Sequence, residues 1–243
     1  MNRFGLIGYP LGHSFSQKYF NNKFKTENSN DCVFELFPIE NVDSFPELLD
    51  AHKDLKGLAV TIPHKQTIIN FLTSIDEAAS EIGAVNCIKI ASGITTGYNT
   101  DVIGFENSIK SVLKPHHQKA LILGTGGGSK AVQYVFKKLG IEFLLVSRTK
   151  NHQQIQYQDI NELICADYNI IVNATPVGMA PHIDTFPEIP YRFLNEKHLL
   201  FDLIYNPDET MFLQKGKAAG ASTKNGHEML ITQAEANWKI WNQ

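Results

Sequence analysis

The 243-residue chain has few cysteines, no long apolar run and no block of like charge. Its three cysteines, Cys32, Cys87 and Cys165, are far apart and form no C-x-x-C pair. That spacing excludes a disulfide framework and a thiolate zinc site, so no metal is expected, and it suits a reducing compartment. No stretch approaches the roughly 20 apolar residues that a membrane-spanning helix needs. The opening "MNRFGLIGYPLGHS" has one basic residue and too short an apolar run for a secretory leader, so a cytoplasmic setting is expected. Acids (25) and bases (22) are dispersed to a net charge of −3, which gives no reason to expect a nucleic-acid or membrane partner. Internal repeats and low-complexity tracts are also lacking. What remains, 43% hydrophobic and 19% charged, has enough apolar surface for one large core or two small ones.

Short apolar runs alternate with helix-length segments. "FGLIGYP", "CVFELFPI" and "GLAVTI" read as strands. "SQKYFNNKFKTEN" reads as a helix with Ser16 at its N-cap, and "AVNCIKIASGITTGYNT" as a hairpin turning near Ser92-Gly93. A second series follows residue 101. The helix "DVIGFENSIKSVL" leads to "KALILG", "GGSKAVQYVFKKLG" and "EFLLVSRT", which make one βαβ unit, and then to the strands "YNIIVNAT" and "HLLFDLIY". Brief Val/Ile/Leu strands between helices predict the α/β class with buried parallel strands.

"LILGTGGGSKAVQ" places Gly124, Gly126, Gly127 and Gly128 between a strand and an amphipathic helix. Glycines there permit a tight turn and a close backbone approach, and the helix start offers unpaired N–H groups to a pyrophosphate. The end of the next strand decides the nucleotide. An NAD site usually carries an acid there to hold the ribose 2′-hydroxyl. This chain has Ser147, Arg148 and Thr149 followed by Lys150, hydroxyls and cations that suit a 2′-phosphate. NADP is therefore expected.

In "AVTIPHKQTI", Pro63 suits the first turn of a helix, which puts Lys65 in that turn. The positive end of the helix dipole disfavours the charged form of a lysine and readies it for proton exchange. In "GYNTDVIGF", Asp101 follows a strand and opens a helix, where it caps or, if it meets Lys65, forms an ion pair able to hold a substrate hydroxyl.

Taken together these motifs resemble the shikimate dehydrogenase family along nearly the whole chain. "GYPLGHSFS" matches its G-x-P…HS-x-S opening, "AVTIPHK" its N-V-T-x-P-x-K motif, "GAVNC" its G-A-x-N segment and "NTDVIGF" its N-T-D-x-x-G segment. "GTGGGS", "SRT", "NATPVGM", "DLIYNPDET" and "KNGHEMLITQAE" continue the match in order. The resemblance implies an oxidoreductase for the reversible NADPH-dependent reduction of 3-dehydroshikimate to shikimate, in aromatic amino-acid and chorismate biosynthesis. It implies a substrate domain of residues 1–100 and 220–243, with a Rossmann-like NADP domain of residues 101–219 inserted between, in a monomer or homodimer.

Residue by residue, the resemblance makes Lys65 and Asp101 the proton-transfer pair. It makes Ser14, Ser16 and Thr61, with Tyr205 and Gln233, the carboxylate donors, and it sets Asn86 at the ring hydroxyls. Gly124, Gly126, Gly127 and Gly128 form the phosphate turn, and Ser147, Arg148 and Thr149 the 2′-phosphate clamp. Asn173, Ala174 and Thr175 line the nicotinamide ribose, and Gly226 and Met229 the nicotinamide ring. His13 reads as structural, while His227 either lines the nicotinamide pocket or caps the last helix. The chain departs from the family at Ala59 and Tyr9, where Asn is usual, at Gln17 (usually Pro) and at Phe20 (usually His). Two other readings stay open: a paralogue that also oxidises quinate or takes NAD, and a non-catalytic NADP-binding regulator.

Overall fold

A computed structural model of the chain describes residues 1–12, 14–149 and 154–243. His13 and Lys150 therefore lie outside the described residues. The chain forms two compact units, Met1–Thr100 with Ala234–Gln243, and Asp101–Gln233. The second unit extends past the sequence-derived boundary because Ser222–Lys224 pairs as a parallel strand with Leu199–Phe201. Residues 220–233 thus belong with the inserted segment, and the return to the first unit begins at Ala234.

The first unit runs β1 (Asn2–Gly8), α1 (Phe15–Thr26), β2 (Cys32–Pro38), α2 (Phe45–Ala51), β3 (Leu55–Val60), β4 (Ser74–Ile75), α3 (Glu77–Ile82), β5 (Cys87–Ala91) and β6 (Ile94–Tyr98). The strands form one sheet in the order β2-β1-β3-β5-β6-β4. β1 is parallel to β2 and β3, and the β5–β6 hairpin runs antiparallel beside β3. Its turn is at Ser92 and Gly93, both with positive φ (50° and 78°), as a two-residue turn of type I′ requires.

Alternation along the strands divides the core. Ile7, Leu58 and Val60 face one cluster with Phe45, Ile68 and Ala79. Phe4, Leu6 and Ala59 face the other, with Phe20, Phe24, Ala234 and Trp241. Successive strand residues point to opposite faces, so both faces of the sheet are covered. Trp241 stacks on Phe4 with ring centroids 5.1 Å apart, and its Nε1 donates to Ile88 O at 3.0 Å. The helix expected to be capped by Ser16 begins earlier: Ser14 is the N-cap, its Oγ accepting from Gln17 N at 3.4 Å.

The second unit runs α4 (Asp101–Lys110), β7 (Lys119–Leu123), α5 (Gly127–Leu139), β8 (Glu142–Ser147), β9 (Gln154–Gln156), α6 (Glu162–Asp167), β10 (Ile170–Asn173), β11 (Leu199–Asp202), α7 (Met211–Ala218), β12 (Ser222–Lys224) and the start of α8 (His227–Trp241). Its sheet is parallel throughout, in the order β12-β11-β10-β7-β8-β9. Counted from β7 as first strand, this is the 3-2-1-4-5-6 order of a doubly wound nucleotide-binding sheet. Phe105 of α4 meets Phe136 and Phe201 edge-on at 5.5 and 5.1 Å on one face. Leu121, Leu200, Phe212 and Leu213 pack in a separate cluster with Cys165 of α6.

Candidate active site

In the first unit, the expected substrate residues gather at one end of the sheet. Ser14 and Ser16 follow β1, Thr61 follows β3 and Asn86 precedes β5. β1 and β3 are parallel neighbours, so their carboxyl ends coincide. There Thr61 N donates to Ile7 O at 2.9 Å, and a Cβ on Gly8 would lie 2.4 Å from Thr61 Cγ2. Val60 N donates to Asn86 O at 2.8 Å, and Val85 N to Lys65 O at 2.7 Å, which binds the lysine turn to the turn carrying Asn86. Buried His64 fixes that turn from behind, with Nε2 2.6 Å from Ile39 O.

Lys65 is not inside a helix. Residues 62–66 form turns, and the 3₁₀ segment Thr67–Phe71 begins only after Gln66. The expected helix start therefore lies beyond the lysine. Half-buried Lys65 is set instead by its backbone contact with Val85.

Asn86 is 2% exposed, and its side chain clasps Thr100. Asn86 Oδ1 accepts from Thr100 N at 2.6 Å, and its Nδ2 donates to Thr100 Oγ1 at 3.0 Å. Thr100 immediately precedes Asp101, which heads α4 in the second unit and is buried. A Cβ on Gly104 would lie 2.5 Å from Met229 O and 3.3 Å from Gln233 Cβ, so α4 and the first turns of α8 are in contact. Half-buried Tyr205 follows β11 in the same unit. At the start of α8, Asn225 Oδ1 accepts from His227 N at 3.2 Å.

The expected cofactor residues of the second unit converge on the carboxyl ends of β7, β10 and β11. β7 and β10 flank the point where the strand order reverses, the usual ligand crevice of such sheets. Gly124 has φ +102°, and a Cβ there would lie 2.8 Å from Thr175 Cγ2 and 3.2 Å from Ala174 O. Gly126 is the N-cap of α5, no side chain caps that end, and a Cβ on it would meet nothing within 4 Å. A helix start with open N–H groups and an open approach fits a pyrophosphate. A Cβ on Gly226 would fall 2.2 Å from Leu203 O, so the backbone before α8 rests directly on the segment after β11.

At the end of β8, Ser147 Oγ accepts from Thr149 N at 3.1 Å and donates to Thr149 O. Gln156 Nε2 donates to Arg148 O at 3.0 Å. The exposed Arg148 side chain thus projects from a turn that is held by other groups.

Comparison with known proteins agrees with this geometry. Residues 6–88 match the family described as the shikimate dehydrogenase substrate binding domain. A shikimate dehydrogenase (NADP(+)) of Methanosphaera stadtmanae is 38% identical, over 98% of this chain and 90% of the relative. The chain belongs to the shikimate dehydrogenase family. A crystal structure of shikimate dehydrogenase 1 from Peptoclostridium difficile superposes with a TM-score of 0.86 at 35% identity, covering 100% of this chain and 92% of that one. The Thermus thermophilus shikimate 5-dehydrogenase, solved with NADP(H) and shikimate, gives 0.87 at 27% identity, covering 99% and 93%.

Within this family, two of the departures share one environment. Ala59 and Phe20 both lie in the aromatic cluster on one face of the first sheet, so apolar side chains at the two positions suit each other. Two polar groups escaped the sequence reading. Asn237 accepts from Thr100 Oγ1 at 2.6 Å in the core of the first unit. Asp202, fully buried at the end of β11, accepts from Asn173, Ile204 and Thr210. A lone acid inside the apolar run "HLLFDLIY" was the available signal for Asp202.

Proposed function

We propose that the chain catalyses the reversible NADPH-dependent reduction of 3-dehydroshikimate to shikimate, supplying shikimate for chorismate and aromatic amino-acid biosynthesis. The observation that carries this reading is the gathering of Ser14, Ser16, Thr61, Lys65 and Asn86 at one end of the first sheet, in a family member with an intact nucleotide turn. The first unit binds the substrate and the second binds NADP. Gly124, Gly126, Gly127 and Gly128 hold the pyrophosphate, Ser147, Arg148 and Thr149 the 2′-phosphate. Asn173, Ala174, Thr175, Gly226 and Met229 face the nicotinamide riboside.

When bound, NADPH supplies the hydride that the ketone carbon accepts. Ser14, Ser16, Thr61, Tyr205 and Gln233 donate hydrogen bonds to the substrate carboxylate and fix the ring. Asn86 orients the ring hydroxyls. The ammonium of Lys65 stabilises the charge developing on the ketone oxygen and gives it a proton, and Asp101 holds the lysine and accepts from the adjacent hydroxyl. Ketone, hydride and proton together account for the alcohol formed.

Three free cysteines suit the reducing setting of the cytoplasm. The decisive experiment follows NADPH absorbance with 3-dehydroshikimate, beside NADH, and quinate in the reverse direction. Turnover with NADPH that Lys65→Ala abolishes while NADPH still binds is the expected result. Full turnover by Lys65→Ala would remove the lysine from the mechanism. Turnover with quinate would identify the broader paralogue, and no turnover with any pair a regulator.

A further inference from the structure

Asp202 is fully buried, and its carboxylate accepts three hydrogen bonds from three different segments. Oδ1 accepts from Asn173 Nδ2 and from Ile204 N, both at 3.0 Å, and Oδ2 accepts from Thr210 Oγ1 at 2.6 Å. Two of the donors, Asn173 and Ile204, lead directly into the cofactor site. Asn173 Oδ1 accepts from Thr175 N at 3.1 Å and Thr175 Oγ1 at 2.6 Å, while Asn173 Nδ2 also donates to Val177 O at 3.2 Å. Thr175 is the residue against which Gly124 closes. Leu203 N donates to Asn173 O at 3.0 Å, and Ile204 O accepts from Gly226 N at 2.9 Å.

The chemistry at this point calls for a carboxylate. Three donors converge on two oxygens, and a carboxylate in its ionised form, which the fold reaches above about pH 7, is the side chain with acceptors alone. An amide would turn an NH₂ toward one of them. A buried carboxyl is costly to desolvate, and apolar packing is often the more stable alternative, so it is kept where it specifies an arrangement.

We propose that Asp202 is the positioning residue of the cofactor site: it sets the Asn173–Thr175 turn and the Leu203–Gly226 contact in register for the nicotinamide end of NADP(H), without touching the cofactor. This rests on the NADP reading above. The adenosine end is held elsewhere, by Arg148 and its neighbours on β8, so loss of Asp202 affects the two ends unequally.

The test compares the full chain with its Asp202→Ala and Asp202→Asn variants by titration with NADPH and with adenosine 2′,5′-bisphosphate, which carries the adenosine end alone. Asp202→Ala should weaken NADPH about tenfold or more and Asp202→Asn less, while the bisphosphate changes by no more than about twofold. Equal weakening of both ligands would show general loss of structure and overturn the proposal, as would unchanged NADPH affinity. If Asp202→Ala does not fold, Thr210→Val removes one donor to the carboxylate outside the site. It should weaken NADPH selectively and be rescued by Thr210→Ser, and selectivity absent from that pair would overturn the proposal. A wild-type chain that binds neither ligand would instead overturn the NADP reading itself.

Discussion

The hydroxyl of Thr100 donates a 2.6 Å hydrogen bond to Asn237 Oδ1, a residue 137 positions later in the chain, while accepting one from Asn86 Nδ2. All three side chains are at most 2% exposed, so none can turn to water if a partner is lost. Thr100→Val keeps the shape but takes one hydrogen bond from each of two buried groups, Asn237 Oδ1 and Asn86 Nδ2, each loss worth about 1–3 kcal/mol. We predict that Thr100→Val lowers unfolding free energy in urea by about 2–4 kcal/mol, and that Thr100→Ser recovers most of it. A loss below about 0.5 kcal/mol, the range of ordinary surface changes, would mean the network contributes nothing.

Two glycines allow stability and binding to be separated. At Gly126 a methyl group meets open space, and φ −75° with ψ −175° is ordinary extended backbone. At Gly226 the same group would sit 2.2 Å from Leu203 O. Gly126→Ala should melt within a few degrees of wild type yet bind NADPH more weakly, because the methyl stands at the uncapped start of α5. Gly226→Ala should lose thermal stability outright. Thermal melts alongside NADPH titration decide the matter, and a Gly126→Ala variant with unchanged affinity would argue against a phosphate at that helix start.

The elements visible in the sequence were those whose cause is local. The α5 turn was legible because four glycines stand between an apolar strand and an amphipathic helix, and the Ser92-Gly93 hairpin because its turn chemistry is specific. Lys65 was misplaced for a local reason as well. A proline before a polar-apolar run resembles a helix start, but the turn is held by Val85 N and buried His64, contacts across 20 and 25 residues. Asn237 was not legible at all, because its partner Thr100 stands 137 residues earlier, and Asp202 showed only as a lone acid in an apolar run, since the donors that fix it come from separate segments. The late return of the chain to the first unit was hidden likewise, since it rests on the pairing of β12 with β11 and on the packing of Gly226 and Met229 against Leu203 and Gly104.

Burial pushes the Asp202 carboxyl up from 3.8 to about 7, against the hydrogen bonds from Thr210, Ile204 and Asn173 that favour its charge. A carboxyl raised in the fold binds its proton more tightly there than in the unfolded chain. Its contribution to stability is therefore complete below the unfolded value near 3.8 and is lost as pH rises through about 7. Asp54, Glu106 and Glu235, lowered in the fold beside their cationic partners, act in the opposite sense, so the whole-protein profile is mixed. The difference between wild type and Asp202→Asn isolates the one group. Between pH 4 and 7, wild type should lose stability relative to the variant by on the order of 4 kcal/mol. Parallel profiles from chemical denaturation would show that Asp202 does not titrate in that window.

Arg148 offers the sharpest separation of cofactor choice from folding. Its turn is held by Ser147 Oγ accepting from Thr149 N and by Gln156 Nε2 donating to Arg148 O, and the guanidinium takes no part in either bond. Replacing that side chain should leave the turn standing and change only the charge offered to the ribose. A carboxylate there repels a 2′-phosphate and accepts from a 2′-hydroxyl. Arg148→Asp should therefore raise the KM for NADPH about tenfold or more, with NADH affected less or even favoured. Steady-state kinetics with both nucleotides at fixed 3-dehydroshikimate measures the ratio. An equal rise for the two would mean that Arg148 supports the turn and does not read the phosphate.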